Sequence, residues 1–396
     1  MRYEILKRTW AEVNLDALKK NYEQIRACTN ADAKLCCVIK ADAYGHGAVR
    51  VGQEFEALGA DFFGVSNLEE ALQLRNAGIK IPILIFGYTP AECAETLAQE
   101  KIRQCVYSAE YAKCLSKEAR KAGVTVLTHI KIDTGMNRIG FPFQEIDRED
   151  ERGEILEALR LPNLNYEGIF THFAVSDEGE MGTDFTMCQY ECFSELIKFL
   201  NSQNISFDIC HCANSAAILD YPQIHMNMVR AGIITYGLYP SGSVKNKPKL
   251  YPALALKSVV SHVKTIRKGD TVSYGRIFTA EQEMKIVTIP IGYADGYPRI
   301  LGERRVEVLI HGKRCKIAGR VCMDQLMVDV THIDNVKMGD SVTLIGRASG
   351  EEILADELAE HSDSINYEIV CDIGKRVPRI YLENGEIESV VNQVLP

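Results

Sequence analysis

Residues 35–47, LCCVIKADAYGHG, place Lys40 directly after a run of apolar and β-forming residues and follow it with small residues, a tyrosine and two glycines. Such a run reads as a strand buried along its length, and it ends on a charge. Runs of the same texture continue down the chain: DFFGVS, IPILIFG, QCVYS, VTVLTHIKI, YEGIFTHF, FDICHC and NMVR. Helix-like segments such as LEEALQLRNAG, AECAETLAQE and QYECFSELIKFLNSQ separate most of them, and an opening helix is expected around residues 16–28. Alternation of this kind is the signature of βαβ units, and a run of eight strands suits a closed barrel better than an open sheet. The expected fold class is α/β, a (β/α)8 TIM-type barrel over residues 12–245.

From about residue 246 the texture changes. KNKPKLYPALALKSVVSHVKTIRKGDTVSYG opens with a Lys/Pro-rich link, and short strands then alternate with KGD, DGYP, HGK and KMGD turns. This reads as a mostly β C-terminal domain over 246–396, joined by residues 1–11, with a late helix at LADELAEHSDS.

Composition narrows the function. The net charge is -9, with 46% hydrophobic and 25% charged residues. An acidic chain without a long Lys/Arg cluster disfavours nucleic acid or an anionic membrane as the main partner and points to a small-molecule substrate. The N-terminal MRYEILKRTWAEVNLDALKKN lacks the apolar core of roughly 7 to 15 residues that a signal peptide needs. A cytoplasmic protein is the expectation. Many of the 13 cysteines sit in apolar runs as small buried hydrophobes,. Cys188 with Cys192, and Cys210 with Cys212 beside His211, lack the paired CxxC spacing of zinc ligands, and no metal is expected.

In an eight-stranded α/β barrel the chemistry sits at the C-terminal ends of the strands. Lys40 ends the first strand; Lys131, Asp133 and Arg138 end the fifth in HIKIDTGMNRIG. His172 ends the sixth, Asn214 and Ser215 follow the seventh in HCANSAA, and Arg230 ends the eighth in MVRAGI. A lysine where its strand leaves the core loses its proton more easily than one in water, because desolvation disfavours the charge. Its neutral amine forms Schiff bases with aldehydes, pyridoxal phosphate among them. A lone strand-end lysine more often snorkels, but Tyr44 adds a hydroxyl four residues on. Ser215, Gly232 and Ile233, following the last two strands, are the pattern of a barrel phosphate site.

The motifs VIKADAYGHG, KIDTGMNRIGF, THFA, NSAA, MVRAGIITYG, GYADGYPR, GRVCMDQ and INYEIVCDIGKRVPR, in this order, resemble the alanine racemase family from TWAEVNLDAL to about Tyr381. The resemblance implies a pyridoxal-phosphate barrel followed by a β domain. It implies an isomerase that interconverts L- and D-alanine by two-base α-proton transfer and supplies D-alanine for the peptidoglycan cell wall. Lys40 is then the cofactor lysine and the base on the D side. Tyr274, in VSYGRIF, is the base on the L side, lent by the partner copy of a homodimer. Proton removal on one face and return on the other needs two bases, and a tyrosine needs cationic or hydrogen-bonding neighbours to serve as one near neutral pH.

By the same resemblance the tyrosine contacts His172, and Arg230 contacts His211 while facing the ring nitrogen of the cofactor. An arginine there stays protonated and leaves that nitrogen unprotonated, which suits racemisation over transamination. Arg138, the Met323 backbone, Tyr293 and Asp324 fall to the substrate, with Arg299 near the entrance. Lys131 matches a lysine that is carbamylated in the family and orients Arg138; without that modification it pairs with Asp133 or another acid. Tyr367 matches a tyrosine that contacts the phosphate and crowds the substrate side chain, favouring a methyl over a hydroxymethyl group. A racemase of serine or broad specificity, a fold-related pyridoxal-phosphate decarboxylase and a non-catalytic cofactor-binding barrel stand as alternatives. Arg230 disfavours the decarboxylase, and the β domain with Tyr274 and Met323 disfavours the bare barrel.

Overall fold

The computed structural model describes residue 6, residues 8–146 and residues 149–395 of the 396-residue chain. The chain divides into two compact units. One holds Lys19–Ala43 and Ala48–Tyr251; the other takes in the strand Thr9–Asn14, the segment Tyr44–Gly47 and the chain from Pro252 onward.

The first unit is a barrel of parallel strands. Lys34–Val38 pairs on one side with Phe62–Val65, and the ladder continues through Ile83–Ile85, Ile102–Val106, Val126–Asp133, Leu164–Phe170 and Ile209–His211. On its other side Lys34–Val38 pairs with Met228–Ala231. The ring is drawn shut where the end strands meet: the Asn227 N–H donates to Cys210 O (3.1 Å) and the Arg230 N–H to Ala213 O (3.0 Å). The end strands Ile209–His211 and Met228–Ala231 are thus drawn together without a ladder between them, and helices such as Leu68–Asn76, Ala109–Ala122 and Glu180–Ser202 lie between the strands in sequence,. That is why these strands read as continuous apolar runs. Cys36, Phe62, Ile209 and Met228 form one of the buried clusters inside, with Phe86 packed against it.

Each of the eight expected runs holds a strand, but the first does not end on Lys40. It stops at Val38, and Lys40 opens a turn in which Ala41, Asp42, Ala43 and Tyr44 all have positive φ, 52°, 53°, 55° and 51°. Four successive non-glycine residues in the left-handed region make one mirror-image turn, each at a cost of roughly 1–2 kcal/mol. Side chains and backbone around it hold it there: the Ala48 N–H donates to Asp42 Oδ1 (2.8 Å) and the Ala43 N–H to Ile39 O (3.0 Å).

The second unit is built mainly of β-strands. Its larger sheet runs in the order Lys313–Lys316, Glu307–Ile310, Ser341–Ala348, Leu254–Val259, Thr9–Asn14, Arg379–Glu383, Glu386–Val391, with Glu351–Ile353 beside Ser341–Ala348. The first strand of the chain is therefore central to a sheet otherwise made from the last third of the sequence. It lies antiparallel to Leu254–Val259 and parallel to Arg379–Glu383. A three-stranded sheet, His262–Ile266, Met284–Ile289 and Leu326–Asp329, and a short pair, Thr271–Val272 with Phe278–Thr279, complete it. Ile266, Val272, Phe278, Ala280, Ile286 and Ala318 pack as one buried cluster there. The expected late helix is present as Ala355–His361.

Candidate active site

At the C-terminal rim of the barrel, Arg230 is the organising group. It is 4% exposed, and its guanidinium reaches the ends of two neighbouring strands, at Thr171–His172 and His211–Cys212. One terminal nitrogen donates to His211 Nδ1 (2.9 Å); the other donates to Thr171 O (2.8 Å), Cys212 O (2.9 Å) and His172 Nδ1 (3.2 Å). No carboxylate is among these partners, so a salt bridge to a loop acid does not explain the residue. Burial draws its pKa down to about 10, which still leaves it charged at neutral pH.

Both histidines are neutral, held well below the ordinary imidazole value first by burial and then by Arg230. Arginine only donates, so His211 Nδ1 must accept and its proton sits on Nε2. That nitrogen lies 2.9 Å from His129 Nδ1, which accepts in turn. His129, on Val126–Asp133, is pushed to about pKa 3, chiefly by burial. Gly168 makes room for it: a Cβ there would lie 2.4 Å from His129 Nδ1.

Lys131 lies on the same strand, 4% exposed, with its amine donating to Ile132 O (2.8 Å). Burial lowers its pKa to about 7, against the opposing pull of Cys105, with Arg230 lowering it further. Asp133 is not its ion-pair partner. The Asp133 carboxylate accepts four backbone N–H groups: Gly135, Met136 and Asn137 at Oδ1 (2.9, 2.9 and 3.0 Å) and Arg138 at Oδ2 (3.1 Å). It folds the loop that carries Arg138. Lys40, Lys131, Arg138 and Arg230 all act electrostatically on His172, so four basic groups converge on one neutral ring.

Beyond the last two strands, Ser215 Oγ accepts the Gly232 N–H (2.9 Å), which leaves the hydroxyl proton free to be given elsewhere. Ile233 opens a short helical turn whose first N–H groups have no partner within it,. Asn214 Oδ1 is already engaged, accepting from the Ala217 N–H and Ser176 Oγ, both at 3.0 Å. The donor set suits a dianionic phosphate group on an electron-poor ring: one hydroxyl, backbone N–H groups, a buried arginine without a counter-acid, and an amine at Lys40. Pyridoxal phosphate fits these residues.

The second unit carries the other candidates. Tyr274 is 68% exposed, in a turn where Ser273, Gly275 and Arg276 have φ of 65°, 74° and 52°. A hollow of about 510 Å³ is lined by Ser273, Tyr274, Cys322, Met323, Asp324 and Gln325. The turn Tyr293–Asp295 is docked on the adjacent loop: the Tyr293 N–H donates to Cys322 O (3.1 Å) and the Ala294 N–H to Met323 O (3.0 Å). Met323 thus gives up its carbonyl, and the group left for a carboxylate is its N–H. Arg299 pairs with Glu303. The rings of Tyr44 and Tyr367 sit 5.9 Å apart.

The turn ends on Asp295, its side chain wholly buried and bonded by Arg8 (2.6 Å), by Arg376 (2.7 Å) and by the Gly292 N–H (3.1 Å). Arg376 also grips Asp324. Asp295, Arg376 and His129 are residues that reading the sequence passes over. The only signal for His129 is its place two residues before Lys131, on the same strand face. Asp295 stands inside GYADG, where it reads as a turn acid.

Comparison with known proteins agrees with this site. The alanine racemase N-terminal domain model matches residues 13–240 and the C-terminal domain model residues 253–381. Alanine racemase 1 of Clostridium acetobutylicum is 43% identical over 386 residues, 97% of this chain and 98% of its own length. The alanine racemase structure of Clostridium difficile 630 superposes with a TM-score of 0.92 at 41% identity, over 99% of this chain and 100% of that one. That of Bacillus anthracis, solved with bound L-Ala-P, gives 0.92 at 39%, covering 99% of both chains. The chain belongs to the alanine racemase family.

Proposed function

We propose that this protein is a pyridoxal-phosphate-dependent isomerase that interconverts L- and D-alanine and supplies D-alanine for peptidoglycan. The observation that carries the reading is the buried Arg230, fixed by two neutral histidines and two carbonyls with no acid bonded to it among the described residues. Pyridoxal phosphate, when bound, draws electron density from the substrate Cα and so acidifies its proton. Lys40 holds the cofactor by its amine and exchanges the α-proton on one face. Tyr274 exchanges it on the other, so removal and return are served by different residues. Arg138 and the Met323 N–H take the substrate carboxylate. Ser215, Gly232, Ile233 and Tyr44 hold the phosphate, with Tyr367 beside it. Arg230 stays charged at neutral pH, so it can donate to the ring nitrogen but has no lone pair with which to receive a proton.

The reading includes a cytoplasmic homodimer, each copy lending Tyr274, Met323, Tyr293 and Asp324 to the other's site. The high exposure of Tyr274 and Met323, 68% and 52%, supports it. Among the described residues no helix is long and apolar enough to cross a membrane. The test is racemisation of L-alanine against L-serine by the purified protein with added cofactor, followed by chiral chromatography. Fast alanine and slow serine turnover is expected, and Lys40→Ala should abolish it. Turnover of neither amino acid, or normal turnover by Lys40→Ala, would end the reading.

A further inference from the structure

Asn67 and Glu70 have the N-x-x-E spacing of a helix capping box, in which the glutamate turns back onto the backbone N–H of the cap residue,. Half of the box is present: Asn67 Oδ1 accepts the Glu70 N–H (2.9 Å) and starts the helix Leu68–Asn76. The other half is diverted. Glu70 Oε2 accepts the Ser66 N–H (2.7 Å), and Oε1 leaves the helix to accept the N–H of Ala41 (2.7 Å), 29 residues away.

Ala41 follows Lys40 and is the first residue of the left-handed turn. A backbone in that region persists only where its surroundings over-determine it. Ala43 and Ala48 donate the bonds that hold the later part of the turn, to Ile39 O and Asp42 Oδ1. At Ala41, among the described residues, the N–H is held by Glu70. One carboxylate therefore ties together the chain just past two neighbouring barrel strands, with both oxygens in short, charge-assisted bonds.

We propose that Glu70 is a positioning residue for Lys40: by fixing the adjoining amide it sets the direction in which the lysine leaves the backbone, without touching substrate or cofactor. The proposal rests on the role of Lys40 given above. Glu70→Ala removes both acceptors. Glu70→Gln keeps the shape but turns an NH2 toward one of two N–H donors, and it serves should the alanine variant fail to fold.

The first readout needs neither cofactor nor turnover: amide hydrogen exchange of the segment 39–46 in the full-length protein. Exchange at Ala41 should accelerate at least tenfold in Glu70→Ala while the strand Ile102–Val106 keeps its protection. In the loaded enzyme kcat should fall about 10- to 100-fold, the scale of a sub-ångström to ångström misplacement, with KM for L-alanine within about threefold. Asn67→Ala, which weakens the helix cap and leaves both Glu70 bonds, should change kcat by less than about twofold. Unchanged Ala41 exchange, or an equal loss of kcat in Asn67→Ala, would overturn the proposal. Normal racemisation by Lys40→Ala would instead remove the reading beneath it, so the two failures are distinguishable.

Discussion

Arg230 donates to His211 Nδ1 across 2.9 Å and so decides which nitrogen of that ring carries the proton. The His211 proton is then given to His129, whose Nε2 lies buried with no partner among the described residues. An aromatic pair steadies the line: Phe170 stacks on His211 with centroids 4.8 Å apart and planes 7° from parallel. The buried cation is therefore oriented by uncharged groups, and five consequences for pH, packing and backbone strain can be measured.

Acid should destabilise the fold from the histidine range downward. His129 is lowered from 6.5 to about 3, so between those values the unfolded chain binds a proton that the folded chain does not. The histidine contribution is full above pH 6.5 and falls with pH through this window, by about 1.4 kcal/mol per pH unit for each such histidine. Urea unfolding at pH 7.5, 6 and 5 should show this slope, and His129→Asn, whose Oδ1 can replace Nδ1 as acceptor, should reduce it by one proton.

Lys131, at about pKa 7, is substantially neutral at mildly alkaline pH and open to carbon dioxide. Carbamylation should be seen by NMR with labelled bicarbonate at pH 8 and be lost below pH 6, where the amine is protonated. Because its folded pKa lies below 10.5, the unmodified lysine makes the fold less stable as pH falls from 10.5 toward 7,. Lys131→Met should remove both effects and raise KM for alanine through a looser Arg138.

Opening the Tyr367 ring should admit a larger side chain. Tyr367→Ala is expected to raise the serine-to-alanine ratio of kcat/KM by about tenfold, within the 1–3 kcal/mol that a small apolar contact can discriminate. Competition between the two amino acids, followed by chiral chromatography, measures it directly.

Relief of backbone strain should separate stability from activity. Ala41→Gly keeps the N–H but removes the left-handed penalty of about 1–2 kcal/mol, less the entropy cost of glycine of about 0.5–1 kcal/mol. A net gain of about 0.5–1 kcal/mol in urea unfolding should accompany a lower kcat, since the turn beside Lys40 becomes less constrained.

Asp295→Asn should loosen the turn Tyr293–Asp295 and the loop docked on it. It leaves Arg8 and Arg376 without a buried acid, and with both arginines partly exposed the loss should be about 2–3 kcal/mol,. The reaction readout is a raised KM with a smaller change in kcat, because the loop carrying Met323 and Asp324 is held through Arg376.

The barrel is legible in the sequence because parallel strands are covered on both faces and read as unbroken apolar runs. The end of the first strand is not. Nothing in Ala-Asp-Ala-Tyr calls for a left-handed turn, which is imposed from outside by Glu70 and by the bond from Ala48 to Asp42. Charged groups at strand ends announce themselves, and Lys40, Lys131, His172 and Arg230 lie together on the rim for that reason. His129 does not, since one imidazole in an apolar strand looks like core. Glu70 hides in an ordinary capping pattern. Asp133 looks like the counter-ion of Lys131, yet four backbone amides claim its carboxylate first.

The strand Thr9–Asn14 leaves the ribosome well ahead of its partner: Thr9 meets Ser258 only after another 249 residues have been made. At about 5–20 residues per second that is a wait of roughly 12–50 s. Throughout it the barrel can assemble while a strand with both edges unsatisfied trails from its first helix. The nascent chain thus carries an unpaired strand ahead of its own folding barrel, and Leu254–Val259 and Arg379–Glu383 must capture it when they emerge. Fusing a slow-folding partner ahead of residue 9, or slowing translation before Leu254, should therefore lower the yield of native protein more than the same change placed within the barrel.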